Sequence, residues 1–324
     1  MVHAVRIHQV GGPEVLRWDE VTVGEPGPGE VLLRQSAIGL NYIDTYHRSG
    51  LYKLPALPAV LGVEGAGVVE AVGPGVATVK VGDRVAYAGP LGGYAERRLI
   101  PADRLVALPD WLDFVQAAAM MLQGMTAEFL LRRVYRVEAG DTVLVQAAAG
   151  GVGLLLCQWA SRLGATVIGT VSTDEKAELA RRHGAHHVIH YSRENFVERV
   201  RELTGGAGVA VVYDGVGQST FLGGLDCLKP RGMMVSFGQA SGAIPPFDPA
   251  LLGAKGSLYL TRPSLFTYTA SRADLEASAA ALFEAVQTGA LTIEVNQTFP
   301  LSEAAEAHRA LEGRATTGAT VLLP

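Results

Sequence analysis

The sequence predicts an α/β protein in which a doubly wound, six-stranded parallel sheet is inserted into a β-rich domain. Three observations carry this prediction. From Asp141 onward, apolar strand-length runs alternate with helix-length segments as far as about residue 260. Such alternation builds βαβ units and a parallel sheet. The first third is instead rich in glycine turns and short β-branched runs, and the last sixty or so residues return to a different texture. The expected boundaries are 1–122 and 263–324 for the outer domain and 123–262 for the inserted one.

In the first third, residues 31–34 and 67–72 read as strands, punctuated by the turns at 24–29 and 73–75. Repeated Gly with β-branched residues suggests an antiparallel barrel or twisted sheets. Ala, Met and Leu dominate residues 117–136, a helical composition. The inserted domain follows with strands at 142–146, 166–171, 187–190, 209–213, 233–237 and 257–260. Its helices are expected at 152–163, 175–183, 195–203 and 221–228. In the tail, apolar residues at helical spacing over 274–288 end at Gly289, a C-cap residue. Residues 301–306 start another helix with Ser302 as the expected N-cap, and 320–323 form a final strand.

Composition narrows the function. Of the 324 residues, 48% are hydrophobic and 18% charged, enough apolar material for sizeable cores. Net charge is −5 with no basic tract, so nucleic acid is not an expected partner. Cys157 and Cys227 are the only cysteines, which excludes a disulfide scaffold or a Cys-rich zinc site. No uninterrupted apolar run approaches ~18 residues, and residues 1–7 lack the apolar core of a signal peptide. The expectation is therefore no membrane span and a cytoplasmic location. His186-His187-x-x-His190 has few carboxylates or cysteines beside it and is not read as a metal site.

The most informative segment is Ala147-Ala148-Ala149-Gly150-Gly151-Val152-Gly153, between the first strand and first helix of the inserted domain. In a Rossmann fold a dinucleotide pyrophosphate docks at this turn, on the free N–H groups of the helix N-terminus. Here the fingerprint lacks its first glycine and is supported by its context of strand, turn and helix. An NAD-binding domain carries an acid at the end of the second strand. That place holds Val171, followed by Ser172 and Thr173, while Asp174 and Glu175 read as caps of the next helix. Hydroxyls and Lys176 without a carboxylate favour the 2′-phosphate of NADPH, although Lys176 also fits an ordinary solvated helix position.

With these motifs the chain resembles the zinc-independent quinone oxidoreductases of the zeta-crystallin type, in the medium-chain dehydrogenase/reductase superfamily. The matching stretches run nearly end to end: 11–16, 39–46, 61–67, 82–87, 92–96, 147–153, 261–265 and 314–318. The resemblance implies a GroES-like catalytic domain around the Rossmann domain. Zinc alcohol dehydrogenases of this superfamily carry Cys where this chain has Asn41 and His where it has Val63. Loss of both ligands implies acceptors that need little polarisation, such as quinones or conjugated enones.

The resemblance further implies roles for particular residues. Asn41 and Tyr42 would face the nicotinamide and the acceptor, and Arg262 would reach the active-site rim. Thr126 would lie beside the nicotinamide. Ala149, Gly150, Gly151 and Val152 would hold the pyrophosphate. Ser172, Lys176 and Tyr191 would meet the adenosine and its 2′-phosphate, Phe237 and Gly238 would lie against the cofactor, and Arg314 would reach a phosphate or the cleft mouth. Plain structural roles compete: a core tyrosine for Tyr42, a turn residue for Asn41, an ion pair for Arg262. The function implied is direct hydride transfer from NADPH to a quinone without metal. Its rivals are an NADPH-dependent enone or alkenal reductase and a nucleotide-binding protein with a structural or RNA-binding role. A homodimer through the edge strand near 257–260 is also implied.

Overall fold

The computed structural model describes the whole chain, Met1–Pro324. It separates into two compact units, Met1–Gln123 with Thr269–Ala279 and Ile293–Pro324, and Gly124–Tyr268 with Ala280–Thr292. The expected boundaries differ from this division at residues 123, 263–268 and 280–292. The difference at 280–292 has a physical cause. Gln158 exchanges two hydrogen bonds with the backbone of Thr292, and Arg162 donates to Gly289 O, so this segment is tied to the second unit.

The first unit begins with β1 (Val2–Ile7), β2 (Leu16–Val21) and β3 (Glu30–Leu40). Then come α1 (Tyr42–Ser49), β4 (Ala59–Val60), β5 (Glu64–Val72), β6 (Arg84–Ala88), β7 (Arg97–Pro101) and β8 (Val106–Ala107). Next is α2 (Phe114–Phe129), which runs from the first unit into the second and continues as one wider turn over Leu130–Val134. The stretch Phe114–Val134 is long and apolar enough to cross a membrane by length and composition, yet 78% of its apolar window is buried inside the fold. That is how a core helix behaves.

The second unit carries β9 (Thr142–Val145), α3 (Gly151–Arg162), β10 (Thr166–Val171), α4 (Asp174–Arg182), β11 (His187–His190) and α5 (Phe196–Leu203). It continues with β12 (Val209–Asp214), α6 (Phe221–Asp226), β13 (Leu228–Ser236), α7 (Ala250–Ala254), β14 (Tyr259–Thr261) and α8 (Leu265–Tyr268). The chain closes with α9 (Arg272–Gln287), β15 (Val295–Pro300), α10 (Ala304–Glu312) and β16 (Ala319–Leu323). Gly289 has φ +69° just past α9, as a C-cap glycine should. Ser302 is not an N-cap. Residues 301–303 form a short 3-10 turn, and α10 starts only at Ala304, with no side-chain cap.

The six parallel strands of the second unit run in the order β11-β10-β9-β12-β13-β14, the doubly wound arrangement that the alternation predicted. Its core gathers Leu144, Ile168, Ile189, Val212, Phe221 and Met234. In the first unit, β15-β16-β3-β5-β6-β8 form one sheet with β7 also paired to β3, and β2-β1-β4 form a second. Gly67 lets β3 and β5 approach closely, since a Cβ there would run into the Arg34 backbone. Ile38, Leu40, Tyr94, Leu301 and Leu322 pack into one core of this unit, drawing its early and late segments together.

Candidate active site

In the first unit the candidate site is built at the N-terminus of α1. Asn41 is the N-cap, with extended φ −132° and ψ 157°. Its N–H donates to Asp44 Oδ2 at 2.9 Å, which fixes the first turn. The residue is 5% exposed, and both polar atoms of its side chain have protein partners, with one Nδ2 hydrogen left to donate. Asn41 Nδ2 donates to Glu64 Oε2 at 2.6 Å, and Gln123 Nε2 donates to Asn41 Oδ1 at 3.1 Å. Glu64 Oε1 accepts the Leu122 N–H at 2.7 Å. Tyr42 is half-buried, and its hydroxyl donates to Leu311 O at 3.1 Å. The tyrosine therefore offers its ring, and Asn41 supplies the donor at this helix end.

Behind Asn41 lies a fully buried polar line. Tyr94 Oη donates to Asp44 Oδ2 at 3.0 Å. Arg48 donates to His308 Nδ1 at 2.9 Å, so the neutral ring carries its proton on Nε2 and donates it to Tyr94 Oη at 3.0 Å. Arg48, 2% exposed, also makes a bidentate pair with Glu312 at 2.9 and 2.7 Å. Burial pushes Asp44 up to about 7, although the Asn41 N–H and the Tyr94 hydroxyl both hold it down. Burial likewise pushes Glu64 up to about 8, and the nearby Asp44 adds to the rise. His308 is pushed down to about 3 by burial first and the Arg48 charge second.

In the second unit the glycine-rich turn has the cradle expected of a dinucleotide site. Ala147 sits at φ +56°, a left-handed conformation that is costly for a residue with a Cβ. It is held by its N–H to Thr170 Oγ1 at 3.2 Å, while Ala148 N–H reaches Thr170 O at 3.0 Å. A Cβ on Gly153 would strike Ala147 O and lie 2.9 Å from Ala148 Cα, so the helix packs against the turn only with glycine there. The Gly150 N–H is committed to Ala147 O at 3.0 Å. Gly150 thus shapes the turn, and the first-turn amides available to an anion are those of Gly151, Val152 and Gly153. Ala149 is buried directly before them. At the end of β9, Gln146 Oε1 accepts from Thr170 Oγ1 at 2.6 Å, while its buried Nε2 has no protein partner. The orphaned buried donor at the end of β9 leaves a place for one more polar partner.

Ser172, Lys176 and Tyr191 gather at the end of β10. Ser172 O accepts from Ser192 Oγ at 3.1 Å, and Tyr191 N–H bonds Val171 O at 3.2 Å. Tyr191 is 41% exposed, and Lys176 is half-buried one turn into α4. Asp174, the acid nearest this point, is tied by Arg193 at 3.0 and 3.1 Å, which holds its carboxyl below the usual range.

At the end of β13, Phe237 N–H and Gly238 N–H bond Asp214 O at 2.9 and 3.3 Å. A Cβ on Gly238 would lie 2.8 Å from Gly215 Cα. Arg262 Nη1 donates to Ser236 O at 3.0 Å and Gly238 O at 2.8 Å. Both bonds pin that strand end. Thr126 is buried in α2, and Arg314, at φ +58°, is exposed in the turn after α10. His186 Nδ1 accepts the Val167 N–H at 3.0 Å. No three His, Cys, Asp or Glu side chains converge in a ligand set.

Sequence reasoning missed Glu64, Asp44, Gln123, Tyr94, His308, Gln146 and Arg193. Asp44 and Glu64 fall within the matching stretches 39–46 and 61–67. Nothing local announces that Glu64 faces Asn41, because its partners lie 23 and 58 residues away.

The chain matches the zinc-binding dehydrogenase family over residues 151–284 and the alcohol dehydrogenase GroES-like domain over residues 27–110. It is 54% identical to a quinone oxidoreductase of Pseudomonas aeruginosa, with all of both chains covered. A 2-haloacrylate reductase of a Burkholderia species is 51% identical over 100% of this chain and 99% of that protein. The structure superposes on the Escherichia coli quinone oxidoreductase complexed with NADPH with a TM-score of 0.98, at 48% identity over 99% of this chain and 100% of that one. With two domain families matched and half of all residues shared from end to end, the chain belongs to the quinone oxidoreductase family of the medium-chain dehydrogenase/reductase superfamily.

Proposed function

We propose that this protein is an NADPH-dependent, zinc-independent quinone reductase. The observation that carries the reading is its end-to-end similarity to quinone oxidoreductases, one of them solved with NADPH. NADPH, when bound, supplies a hydride from C4 of its nicotinamide. The residues of this chain do the rest. The Gly151, Val152 and Gly153 amides and the positive end of α3 hold the pyrophosphate. Ser172, Lys176 and Tyr191 take the 2′-phosphate, and Arg193 keeps the Asp174 carboxylate from repelling it. Arg262 holds the Phe237–Gly238 turn in place against the cofactor. Thr126 would lie beside the nicotinamide. Asn41 donates to the acceptor oxygen where negative charge develops, so it stabilises the transition state more than the ground state. Tyr42 lays its ring against the acceptor. Solvent supplies the proton that completes the hydroquinone.

Anaerobic NADPH oxidation tests this, with a small benzoquinone, a polycyclic quinone and a conjugated enone compared side by side. Fast quinone turnover, unchanged by a chelator, is the expected result. The 51% identity to a 2-haloacrylate reductase favours a second reading, reduction of an activated C=C bond. Turnover of the enone alone would establish that one. NADPH binding without turnover of any acceptor would point to a structural or other nucleotide-binding role. A cytoplasmic homodimer completes the proposal. β14 is an edge strand of the six-stranded sheet, with Tyr259 and Leu260 58% and 36% exposed, and pairing two such edges hides both. A monomeric mass by light scattering would refute the dimer.

A further inference from the structure

Asn41 does not choose its own orientation. A side-chain amide presents N–H on one side and C=O on the other, and the direction is set by whatever it faces. On one side it faces Glu64, whose Oε1 is already bonded by the Leu122 N–H at 2.7 Å. The remaining oxygen, Oε2, takes an N–H of Asn41 at 2.6 Å. On the other side Asn41 Oδ1 faces Gln123 Nε2 at 3.1 Å. The carboxylate is wedged here: a Cβ on Gly39 would strike both Glu64 and Ala118 O, so residue 39 must be glycine for Glu64 to fit. The carboxylate is completely buried, and no cation bonds it.

We propose that Glu64 is a positioning residue for hydride transfer: pinned by the Leu122 N–H, it fixes the direction of the Asn41 amide and, through it, that of Gln123. This inference rests on the placement of Asn41 at the acceptor proposed above. The line has a second self-consistent arrangement. A proton on Glu64 Oε2 would be donated to Asn41 Oδ1, turning the amide around and leaving Gln123 to accept from Asn41 Nδ2. Every partner stays satisfied, but the Asn41 N–H bonds then point the other way. The proton on Glu64 therefore selects between two settings of the site.

Several titratable and charged groups stand around Glu64. Asp44 faces it from α1, and Tyr87 faces it from β6 with the Arg98 guanidinium of β7 4.8 Å over its ring. Burial and Asp44 together put the Glu64 transition at about 8.

Glu64→Gln separates the two settings. Leu122 still requires an oxygen, so Gln Nε2 must face Asn41 and hold it in the reversed direction at every pH. The experiment compares kcat and KM for one quinone, between about pH 6 and pH 10, with NADPH affinity by fluorescence quenching. Wild-type kcat should rise as Glu64 ionises. The variant should stay flat at the wild-type acid-side value, about 10- to 100-fold lower at the alkaline end, the scale of one misdirected donor. KM and NADPH affinity should stay within about threefold. Parallel pH profiles, or a loss seen mainly in KM or NADPH affinity, would overturn the proposal.

An infrared titration of the wild type adds a readout that needs neither the variant nor turnover. Loss of the protonated-carboxyl band should be accompanied by a shift of the side-chain amide bands. A carboxyl band that titrates while the amide bands stay still would overturn the proposal, including where the variant fails to fold. If the wild type turns over no acceptor, the proposed function fails, and the infrared result still decides the role of Glu64.

Discussion

Replacing Tyr94 with Phe removes one oxygen from the middle of the buried line that joins Asp44 to Arg48. The hydroxyl is fully buried, donates to Asp44 Oδ2 at 3.0 Å and accepts from His308 at 3.0 Å. Its loss strands a buried N–H and strips a buried carboxyl of one donor, each costing about 1–3 kcal/mol. We expect a total of about 2–6 kcal/mol. At roughly 2–4 °C per kcal/mol for a unit of this size, Tm should fall by about 4–24 °C.

The pH profile sharpens the test. Asp44 is raised from 3.8 to about 7 in the folded protein. A raised acid contributes its stability in full below the unfolded value and loses it as pH rises through the folded value. For Asp44 this amounts to a decline on the order of 4 kcal/mol between pH 3.8 and about 7. The Tyr94 hydroxyl opposes the rise, so Tyr94→Phe should carry the decline to higher pH. Calorimetric melts of both proteins across this range would measure it. A variant Tm within 2 °C of wild type (about 0.5–1 kcal/mol), or a decline that ends at lower pH than in the wild type, would refute the reasoning.

Two further outcomes concern the second unit. Lys176→Ala should weaken NADPH by about 10-fold or more, as a charge-assisted contact is worth ~1.5–3 kcal/mol, and should leave NADH nearly unchanged. Equal losses in kcat/KM for the two cofactors would remove Lys176 from the phosphate site. Gly153→Ala places a Cβ against Ala147 O and the Ala148 backbone, so the turn must open. NADPH affinity by titration should drop by about 100-fold or more, and affinity within threefold of wild type would contradict the cradle.

The second unit was legible because its signals are local. Residues 142–145, 166–171, 187–190 and 209–214 each announce a strand within a few positions, and the glycine-rich turn announces its ligand class. The interior of the first unit was not legible, because its decisive pairs are distant in sequence. Glu64 lies in a run that reads simply as the start of a strand, and the Tyr94–His308 bond spans 214 residues. The use of the Gly150 N–H within the turn was hidden for a different reason. Spacing identifies the turn but not which of its amides the turn itself consumes. Arg262 was expected at a rim, where only geometry could show two backbone carbonyls receiving its Nη1.

The union of early and late segments in the first unit also bears on how the protein comes into being. β16 pairs with β3, and Arg48, seven residues beyond the start of the candidate site, closes on His308 and Glu312 some 260 residues downstream. The six-stranded sheet, by contrast, has all of its strands once Thr261 is made. On the ribosome, at roughly 5–20 residues per second, the nucleotide-type sheet can settle seconds before the first unit receives its last strand. A nascent chain halted short of α10 would therefore hold a finished Rossmann sheet and an α1 whose Arg48 still lacks His308 and Glu312. Hydride transfer would begin only when the final residues arrive.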